Sequence, residues 1–303
     1  MSGSGHHHSK EDAHSHPQKR LAVTVVLNMV ITVAQVIGGI ISGSLALISD
    51  ALHNLSDVLA VVLAWVAHYL SGKPRTDRSS FGLQRAEILA AFINALVLMG
   101  ISVYLVVEAV SRFLHPAQVD PQWMFWLGLL GILANGLSVL ILHGGRNHNL
   151  NMKAAYLHLL GDTLTSVAVV AGAACIYFWG WFWVDPLVTV LISIYLSVHT
   201  WSILRESVEI LMQMSPAGLD TTRVAQAIAS VEGIRSVHHI HIWKLNDARI
   251  HFEAHVVLSG DTLVSETAPL RKKIKALLEE KFDISHVTLQ FEVLKKGESD
   301  CGC

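Results

Sequence analysis

Long uninterrupted apolar stretches dominate the first two-thirds of the chain, beginning at about residue 21. Each stretch has enough residues to cross roughly 30 Å of hydrocarbon as a helix that rises about 1.5 Å per residue. The pattern therefore predicts six membrane-spanning helices. They are expected over residues 21–41, 44–70, 84–113, 121–143, 153–180 and 184–205.

The pattern changes after about residue 215, where charged and apolar residues alternate. Helical spacing predicts helices, a period of two predicts strands, and Asn246-Asp247 is typical of a hairpin turn. In chain order we expect a helix over 219–231, strands over 237–245 and 249–258, a helix over 267–282 and a strand over 287–294. This order predicts a small α+β domain, ferredoxin-like in topology, whose modest core would gain from pairing with a second copy.

These patterns divide the chain into four segments. Gly, Ser, His and charged residues predict a disordered, histidine-containing tail over 1–20, followed by a six-helix transmembrane domain over 21–211. The cytoplasmic α+β domain is expected over 212–296. The final tail, 297–303, ends in Cys301-x-Cys303, which could hold a soft metal or simply belong to a mobile terminus.

The positions of lysine and arginine predict the orientation in the membrane. The connectors after the second and fourth spans carry cations, among them Arg75, Arg78 and Lys153. The opposite connectors, near residues 42–44 and 180–185, carry none, and Arg112 is the one cation on that side. We therefore expect both termini to be cytoplasmic, as six spans require.

Composition excludes several classes of protein. Hydrophobic residues make up 52% of the chain and charged residues only 15%, with a mean hydropathy of +0.46. A disordered chain would be far more polar. The formal net charge of −2 gives no basic excess for binding nucleic acid. Three cysteines do not make a disulfide framework.

Two pairs of ionisable residues lie within predicted spans, where such residues are costly and are candidates for function. The pairs are His53 with Asp57 and His158 with Asp162. A spacing of four places both members of a pair on one helix face. Two such helices packed together would present two imidazoles and two carboxylates, a set suited to tetrahedral Zn²⁺. The alternative is a structural hydrogen bond within each pair.

Asp50 lies one turn before His53. Its spacing is that of a residue that could support a ligand from behind or accept a proton. A polar contact near a helix end is an equally good interpretation of this residue.

The predicted cytoplasmic domain contains a second group of histidines. His238, His239 and His241 lie on its first strand, and alternation would place His239 and His241 on one face and His238 on the other. Further candidates on the next two strands are His251, His255, His286 and Glu292. The group could form a second metal site or simply a polar sheet face.

Taken together, these motifs resemble the cation diffusion facilitator family over nearly the whole chain. The similarity is to bacterial zinc, cadmium and cobalt efflux members, and also to vertebrate vesicular zinc transporters. The segments that carry it are 44–57 (SLALISDALHNLSD), Phe81-Gly82 with Arg85-Ala86-Glu87, Asn149-Leu150-Asn151, His158 with Asp162, 237–243 (VHHIHIW) and 286–292 (HVTLQFE).

The resemblance implies six transmembrane helices, a metallochaperone-like cytoplasmic domain, a homodimer and exchange of divalent metal for protons by alternating access. It implies that the transported ion, Zn²⁺, is bound by four residues of the membrane domain and that a cytoplasmic site uses three others. The first set is His53, Asp57, His158 and Asp162, and the second is His238, His255 and Glu292.

The chain departs from the family pattern near Arg85. Some members pair a cation at this position with an acid at the end of the sixth span. Here Gln213 and Met214 occupy that region, and Glu209 is the nearest substitute.

We therefore expect an antiporter that exports Zn²⁺, and also Cd²⁺ or Co²⁺, across a bacterial inner membrane. One alternative is a membrane-embedded metalloenzyme, but it would need an open coordination position, and no His-Glu-x-x-His motif occurs. Another is a metal-sensing receptor, which would explain the cytoplasmic histidines but not a buried site among six spans. The sequence thus favours a transporter over an enzyme.

Overall fold

The computed structural model describes residues 29–143 and 150–293. Five of its helices are long and apolar enough to cross a membrane, and a shorter apolar helix precedes them. We number them α1 Met29–Ser42, α2 Leu45–Ser71, α3 Ala86–Leu114, α4 Pro121–His143, α5 Leu150–Trp179 and α6 Val184–Leu211. The last five predicted spans are confirmed as long apolar helices. The first begins outside the described residues.

The chain forms two compact units. The first contains the described residues up to Val62 together with Asn94–Trp201. Its core is built from small and branched apolar side chains on α2, α4, α5 and α6, among them Leu47, Met124 and Val188. Other large apolar side chains, such as Trp126, Leu140 and Val198, point outward. Apolar side chains on both sides of a helix are what a lipid environment allows.

The start of α2 is fixed by an acid from another helix. Gly43 adopts a φ of +70° in the turn before α2, a backbone conformation that side chains disfavour. Asp185, in the first turn of α6, accepts hydrogen bonds from the hydroxyl of Ser44 at 2.6 Å and from the backbone N–H groups of Leu45 and Ala46 at 3.0 and 3.2 Å. These groups would otherwise lack partners at a helix N-terminus. Asp185 therefore ties the beginnings of α2 and α6 together.

The second unit contains Leu63–Ile93 and the described residues from Ser202 onward. Its folded elements are α7 Thr221–Ala229, β1 Ile234–Asn246, β2 Arg249–Leu258, a 3₁₀ turn Val264–Glu266, α8 Thr267–Phe282 and β3 His286–Glu292. This is the predicted order of helix, two strands, helix and strand. The apolar faces of α7 and α8 pack with the sheet around Val224, Ile274 and Phe252.

The three strands form one sheet in the order β1-β2-β3. β1 and β2 are antiparallel, joined by the predicted turn, in which Asn246 Oδ1 accepts a hydrogen bond from Ala248 N at 3.1 Å. β2 and β3 are parallel. The register of β1 shifts between His238 and His241, because His238 lies opposite His255 and His241 lies opposite Glu253. One extra residue on β1 makes this a β-bulge.

Candidate metal centre

Two helices of the first unit carry the predicted histidine–aspartate pairs. α2 carries His53 and Asp57, and α5 carries His158 and Asp162, each pair four residues apart along its helix. The spacing places each pair on one helix face. The two faces meet, so that the four residues form what we call the membrane cluster.

The ligand atoms of the membrane cluster converge on a small space. His53 Nε2 lies 3.0 Å from Asp162 Oδ1 and 3.6 Å from Asp57 Oδ2. His158 Nε2 lies 3.5 Å from Asp57 Oδ2 and 3.7 Å from Asp162 Oδ2. Each imidazole therefore approaches both carboxylates, one on its own helix and one on the other.

These separations fit a tetrahedral ion. Bonds of about 2.0–2.2 Å to Zn²⁺ imply separations of roughly 3.3–3.6 Å between ligand atoms. His53, Asp57 and Asp162 offer ligand atoms that all lie within 4.8 Å of one another. His158 lies at the edge of this group, in contact with both carboxylates. The arrangement can hold a divalent cation with two nitrogen and two oxygen ligands.

The membrane cluster has a buried side and an open side. The side chains of His53 and Asp162 are each only 4% exposed, whereas Asp57 is 34% and His158 39% exposed. The Nδ1 atom of His53 is buried without a hydrogen-bond partner among the described residues. An ion could therefore enter and leave past Asp57 and His158.

Asp50 lies in a second buried network, three residues before His53. Its Oδ1 accepts a hydrogen bond from Thr165 Oγ1 at 2.7 Å, and its Oδ2 accepts from Ser166 Oγ at 3.0 Å and from Gln35 Nε2 at 3.4 Å. Gly131 on α4 leaves the space for this network, because a Cβ atom there would lie 2.7 Å from Gln35 Nε2 and 3.0 Å from Ser166 Oγ. The network links α1, α2 and α5 behind the membrane cluster.

A second convergence of ligand atoms lies on the sheet of the other unit. We call His238, His255 and Glu292 the sheet cluster. Glu292 Oε1 lies 2.7 Å from His255 Nδ1, and Glu292 Oε2 lies 3.4 Å from His238 Nε2. All three offer ligand atoms within 4.8 Å of one another. The parallel pairing of β2 with β3 is what brings Glu292 to the two histidines.

The β-bulge changes the simple alternation expected for β1. His239 adopts a φ of 52°, in the left-handed region. Its ring lies 4.7 Å from the rings of both His241 and His255, and the ring of His238 lies 5.3 Å from that of His255. His238 and His239 therefore both contact His255, although alternation places them on opposite faces.

The remaining two histidines of the domain form a separate group. The rings of His251 and His286 lie 4.5 Å apart, and Trp243 stacks on His251 at 5.4 Å. Burial lowers the pKa of His251 below its ordinary 6.5, and the positive charges of His286 and nearby arginines lower it further. The lowered pKa favours the uncharged form of His251, and among the described residues it forms no ion pair with Glu292.

Comparison with known proteins matches nearly the whole chain to two family models. The family described as the cation efflux transmembrane domain matches residues 21–212, and the cation efflux protein cytoplasmic domain matches residues 216–293. The chain belongs to the cation efflux family, the cation diffusion facilitators. Members of the family are metal transporters and not enzymes, so this chain is a metal cation efflux transporter and a multi-pass membrane protein.

Its curated relatives are bacterial transporters of nearly the same length. The metal cation efflux system protein CzcD of Cupriavidus metallidurans is 38% identical, covering 98% of this chain and 93% of the relative. A cadmium, cobalt and zinc/H(+)-K(+) antiporter of Bacillus subtilis is 35% identical, covering 95% and 92%. Zinc transporter ZitB of Escherichia coli is 34% identical, covering 98% and 95%.

A solved structure of part of such a protein also matches. It is the metal-bound C-terminal domain of the CzcD transporter from Cupriavidus metallidurans, 38% identical, covering 24% of this chain and 99% of that domain, with a TM-score of 0.22. The predicted similarity to vertebrate vesicular zinc transporters stays a prediction.

The structure adds two residues that the sequence did not connect with the site. The ring of His199 on α6 stacks on that of His158, with centroids 6.4 Å apart and planes 22° apart. Tyr195, one turn earlier on α6, brings its hydroxyl so close to Gly161 of α5 that a Cβ atom there would clash with it. The signal was available, because Tyr195 and His199 share the four-residue spacing of the two ligand pairs. The N-terminal histidines and Cys301-x-Cys303 lie outside the described residues.

Proposed function

We propose that this transporter exports Zn²⁺ from the cytoplasm, and also accepts Cd²⁺ or Co²⁺, and that His53, Asp57, His158 and Asp162 bind the transported ion. The observation that carries the proposal is the approach of two imidazoles and two carboxylates to separations of 3.0–3.7 Å. Mixed nitrogen and oxygen ligands favour zinc-like ions over Mg²⁺ or Ca²⁺, which prefer oxygen alone. The names of the bacterial relatives include the same three metals.

Protons are the proposed counter-ion. A metal binds neutral imidazole and ionised carboxylate, so protons and metal compete for the same four side chains. Histidine changes charge between about pH 5 and 8, which makes this competition effective near neutrality. The antiporter from Bacillus subtilis is named for exchange with H⁺. Metal bound on the cytoplasmic side would thus be released where protons replace it.

Alternating access fits helices that carry the ligands in two pairs. The membrane cluster would face the cytoplasm in one conformation and the opposite side in the other, with α2 and α5 changing their relative position. Asp50 would serve as a supporting residue, because its hydrogen bonds to Gln35, Thr165 and Ser166 hold α1, α2 and α5 together beneath the ligands.

The finer architecture is part of the same proposal. We infer six spans, with the tail 1–20, the transmembrane domain 21–211, the cytoplasmic domain 212–296 and the tail 297–303. The order of elements in the cytoplasmic domain is compatible with a ferredoxin-like topology lacking one strand. Both termini would lie in the cytoplasm of a bacterium, with the protein in the inner membrane.

The cytoplasmic domain would contribute assembly and metal binding. A small domain buries a limited core, so a homodimer formed through this domain would stabilise it. The sheet cluster His238, His255 and Glu292 would bind a second metal ion, because its ligand atoms already lie together.

The test is transport by the purified full chain in proteoliposomes that enclose a zinc-sensitive dye and a pH-sensitive dye. At zero membrane potential, added Zn²⁺ should enter the vesicles while protons leave. Asp162→Asn should abolish the zinc signal, since an amide is a poor replacement for a buried anionic ligand. Asp77→Asn, which changes an exposed acid in the connector between α2 and α3, is the matched control and should transport normally.

Three outcomes separate the parts of the proposal. Zinc entry without proton exit would contradict the exchange with protons and would indicate a uniporter. Normal transport by Asp162→Asn would show that the ion is bound elsewhere. Entry of Mn²⁺ in preference to Zn²⁺ would contradict the proposed choice of metal.

A further inference from the structure

Arg85, immediately before α3, has two guanidinium nitrogens for which the described part of the chain offers no partner. Its Nε and Nη2 atoms are buried and have no hydrogen-bond partner among the described residues. A buried guanidinium is strongly disfavoured unless acceptors satisfy its fixed fork of donors. The described residues do not supply an acceptor for these two nitrogens.

The nearby acids are engaged elsewhere. Glu209, the substitute expected from the sequence, accepts a hydrogen bond from Arg205 Nε at 2.8 Å. Glu87 accepts from Ser71 Oγ at 3.0 Å and lies 3.1 Å from His68 Nδ1. In this part of the described chain, neither carboxylate forms an ion pair with Arg85.

Arg85 lines a cavity of about 630 Å³. Arg78, Ser79 and Gln84 line the same cavity, and none of its lining residues is acidic. Gln84 also accepts a hydrogen bond from Arg249 Nη1 at 3.2 Å, which adds another cation beside it. We call this space the basic cavity. Its charge favours an anion.

Apolar side chains also line the basic cavity. Leu70 near the end of α2, Leu89 near the start of α3 and Leu211 at the end of α6 all line it. These three helices are candidate membrane spans by length and composition, and the cavity lies at their ends. Cations beside apolar helix ends match a molecule with an anionic head and a hydrocarbon tail.

We propose that the basic cavity binds the phosphate headgroup of an anionic phospholipid, with Arg85 as the principal donor and Arg78 as a second cation. A phosphodiester offers acceptor oxygens that a guanidinium fork can engage through paired hydrogen bonds. The lipid site is separate from both metal clusters, and its test does not depend on metal transport.

Native mass spectrometry of the full chain, titrated in detergent with phosphatidylglycerol or phosphatidylcholine, measures the binding directly. The wild-type chain should retain phosphatidylglycerol preferentially. Arg85→Gln should weaken this binding about tenfold or more, the loss expected for charge-assisted hydrogen bonds. Arg85→Lys, which keeps the charge but not the fork, should lie between the two. Arg223→Gln, on the exposed surface of α7, is the matched control and should bind as the wild type does.

Labelled histidine provides a second readout by NMR. The pKa of His251 is lowered in part by the charge of Arg85, so a bound phosphate should raise it, and Arg85→Gln should remove that response to lipid.

Equal retention of phosphatidylglycerol by wild type and Arg85→Gln would overturn the proposal. So would complete displacement of the lipid by inorganic phosphate, which would indicate a free anion. Loss of the dimer in Arg85→Gln with unchanged lipid binding would instead place a second copy over Arg85.

Discussion

The membrane cluster and the sheet cluster both combine imidazole and carboxylate groups, but in different surroundings. In the membrane cluster, two of the four side chains are almost fully buried. In the sheet cluster, all three are between 19% and 29% exposed. Water can reach every ligand of the sheet cluster, whereas in the membrane cluster it can reach the open side but not the buried His53 and Asp162. The burial of a side chain, more than its residue type, thus decides how strongly metal binding depends on it.

The two clusters also differ in how they are assembled. The membrane cluster joins two helices that each bring a complete histidine–aspartate pair. The sheet cluster draws one residue from each of three strands and depends on their register. An error of one residue in a strand would remove a ligand from the sheet cluster, since neighbouring side chains point to opposite faces.

The largest expected effect compares the buried and the open histidine of the membrane cluster. We predict that His53→Ala lowers zinc transport roughly 100-fold or more and that His158→Ala lowers it about tenfold, because water can reach the position of His158. Initial rates of zinc entry into proteoliposomes measure both. His115→Ala, at an exposed position after α3, is the control. Equal losses of zinc transport in His53→Ala and His158→Ala would show that burial does not determine how much each histidine contributes.

A change of metal preference is the next effect. His53→Asp replaces a nitrogen ligand by a harder oxygen ligand, so transport of Mn²⁺ relative to Zn²⁺ and Cd²⁺ should rise. Competition between metals in the same vesicles measures the ranking. An unchanged ranking, with protein of normal thermal stability, would argue that His53 does not contact the ion.

A smaller effect is expected for the sheet cluster. Glu292→Gln should weaken zinc binding by the full chain at its second site about 10- to 100-fold, but it should lower transport only a few fold, because the transported ion is held elsewhere. Equilibrium binding and vesicle transport are measured on the same preparation. Glu279→Gln, exposed on α8, is the control. Loss of transport as complete as in His53→Ala would mean that the two clusters are functionally equivalent.

The smallest effect concerns His251, which lies outside both clusters. Because its pKa is lowered on folding, the unfolded chain binds more protons at this residue, and stability should fall as the pH drops through about 6.5. His251→Gln should therefore lose less stability than the wild type between pH 7.5 and 5.5 (values chosen about one unit either side of the ordinary histidine pKa). Melting temperatures at the two pH values measure the slope. A slope unchanged from that of the wild type would contradict the prediction.

Sequence patterns predicted the helices and strands closely, because long apolar runs and strict alternation have few other interpretations. The strand over 249–258 and the helix over 267–282 agree with the structure at both ends. The convergence of His53, Asp57, His158 and Asp162 was expected from spacing alone. The burial of each of these four side chains could not be predicted from spacing, because it depends on which helices cover each pair.

Other features required the tertiary structure. The β-bulge at His239 depends on backbone geometry that the sequence does not specify, since histidine is enriched at positive φ but most histidines do not adopt it. The contact of His199 with His158 depends on the packing of α6 against α5. The sequence also does not show that Glu209 accepts a hydrogen bond from Arg205 and not from Arg85.

The attachment of α2 to Asp185 has a mechanical consequence for the transported ion. Leu45 is held by its backbone N–H, so a tilt of α2 during the proposed transport cycle would turn about that end. His53 lies 8 residues and Asp57 12 residues from Leu45, which at 1.5 Å per residue is about 12 Å and about 18 Å along the axis. Any tilt therefore displaces Asp57 half as far again as His53. Asp57, on the open side of the membrane cluster, would therefore move away from the ion before the buried His53 does.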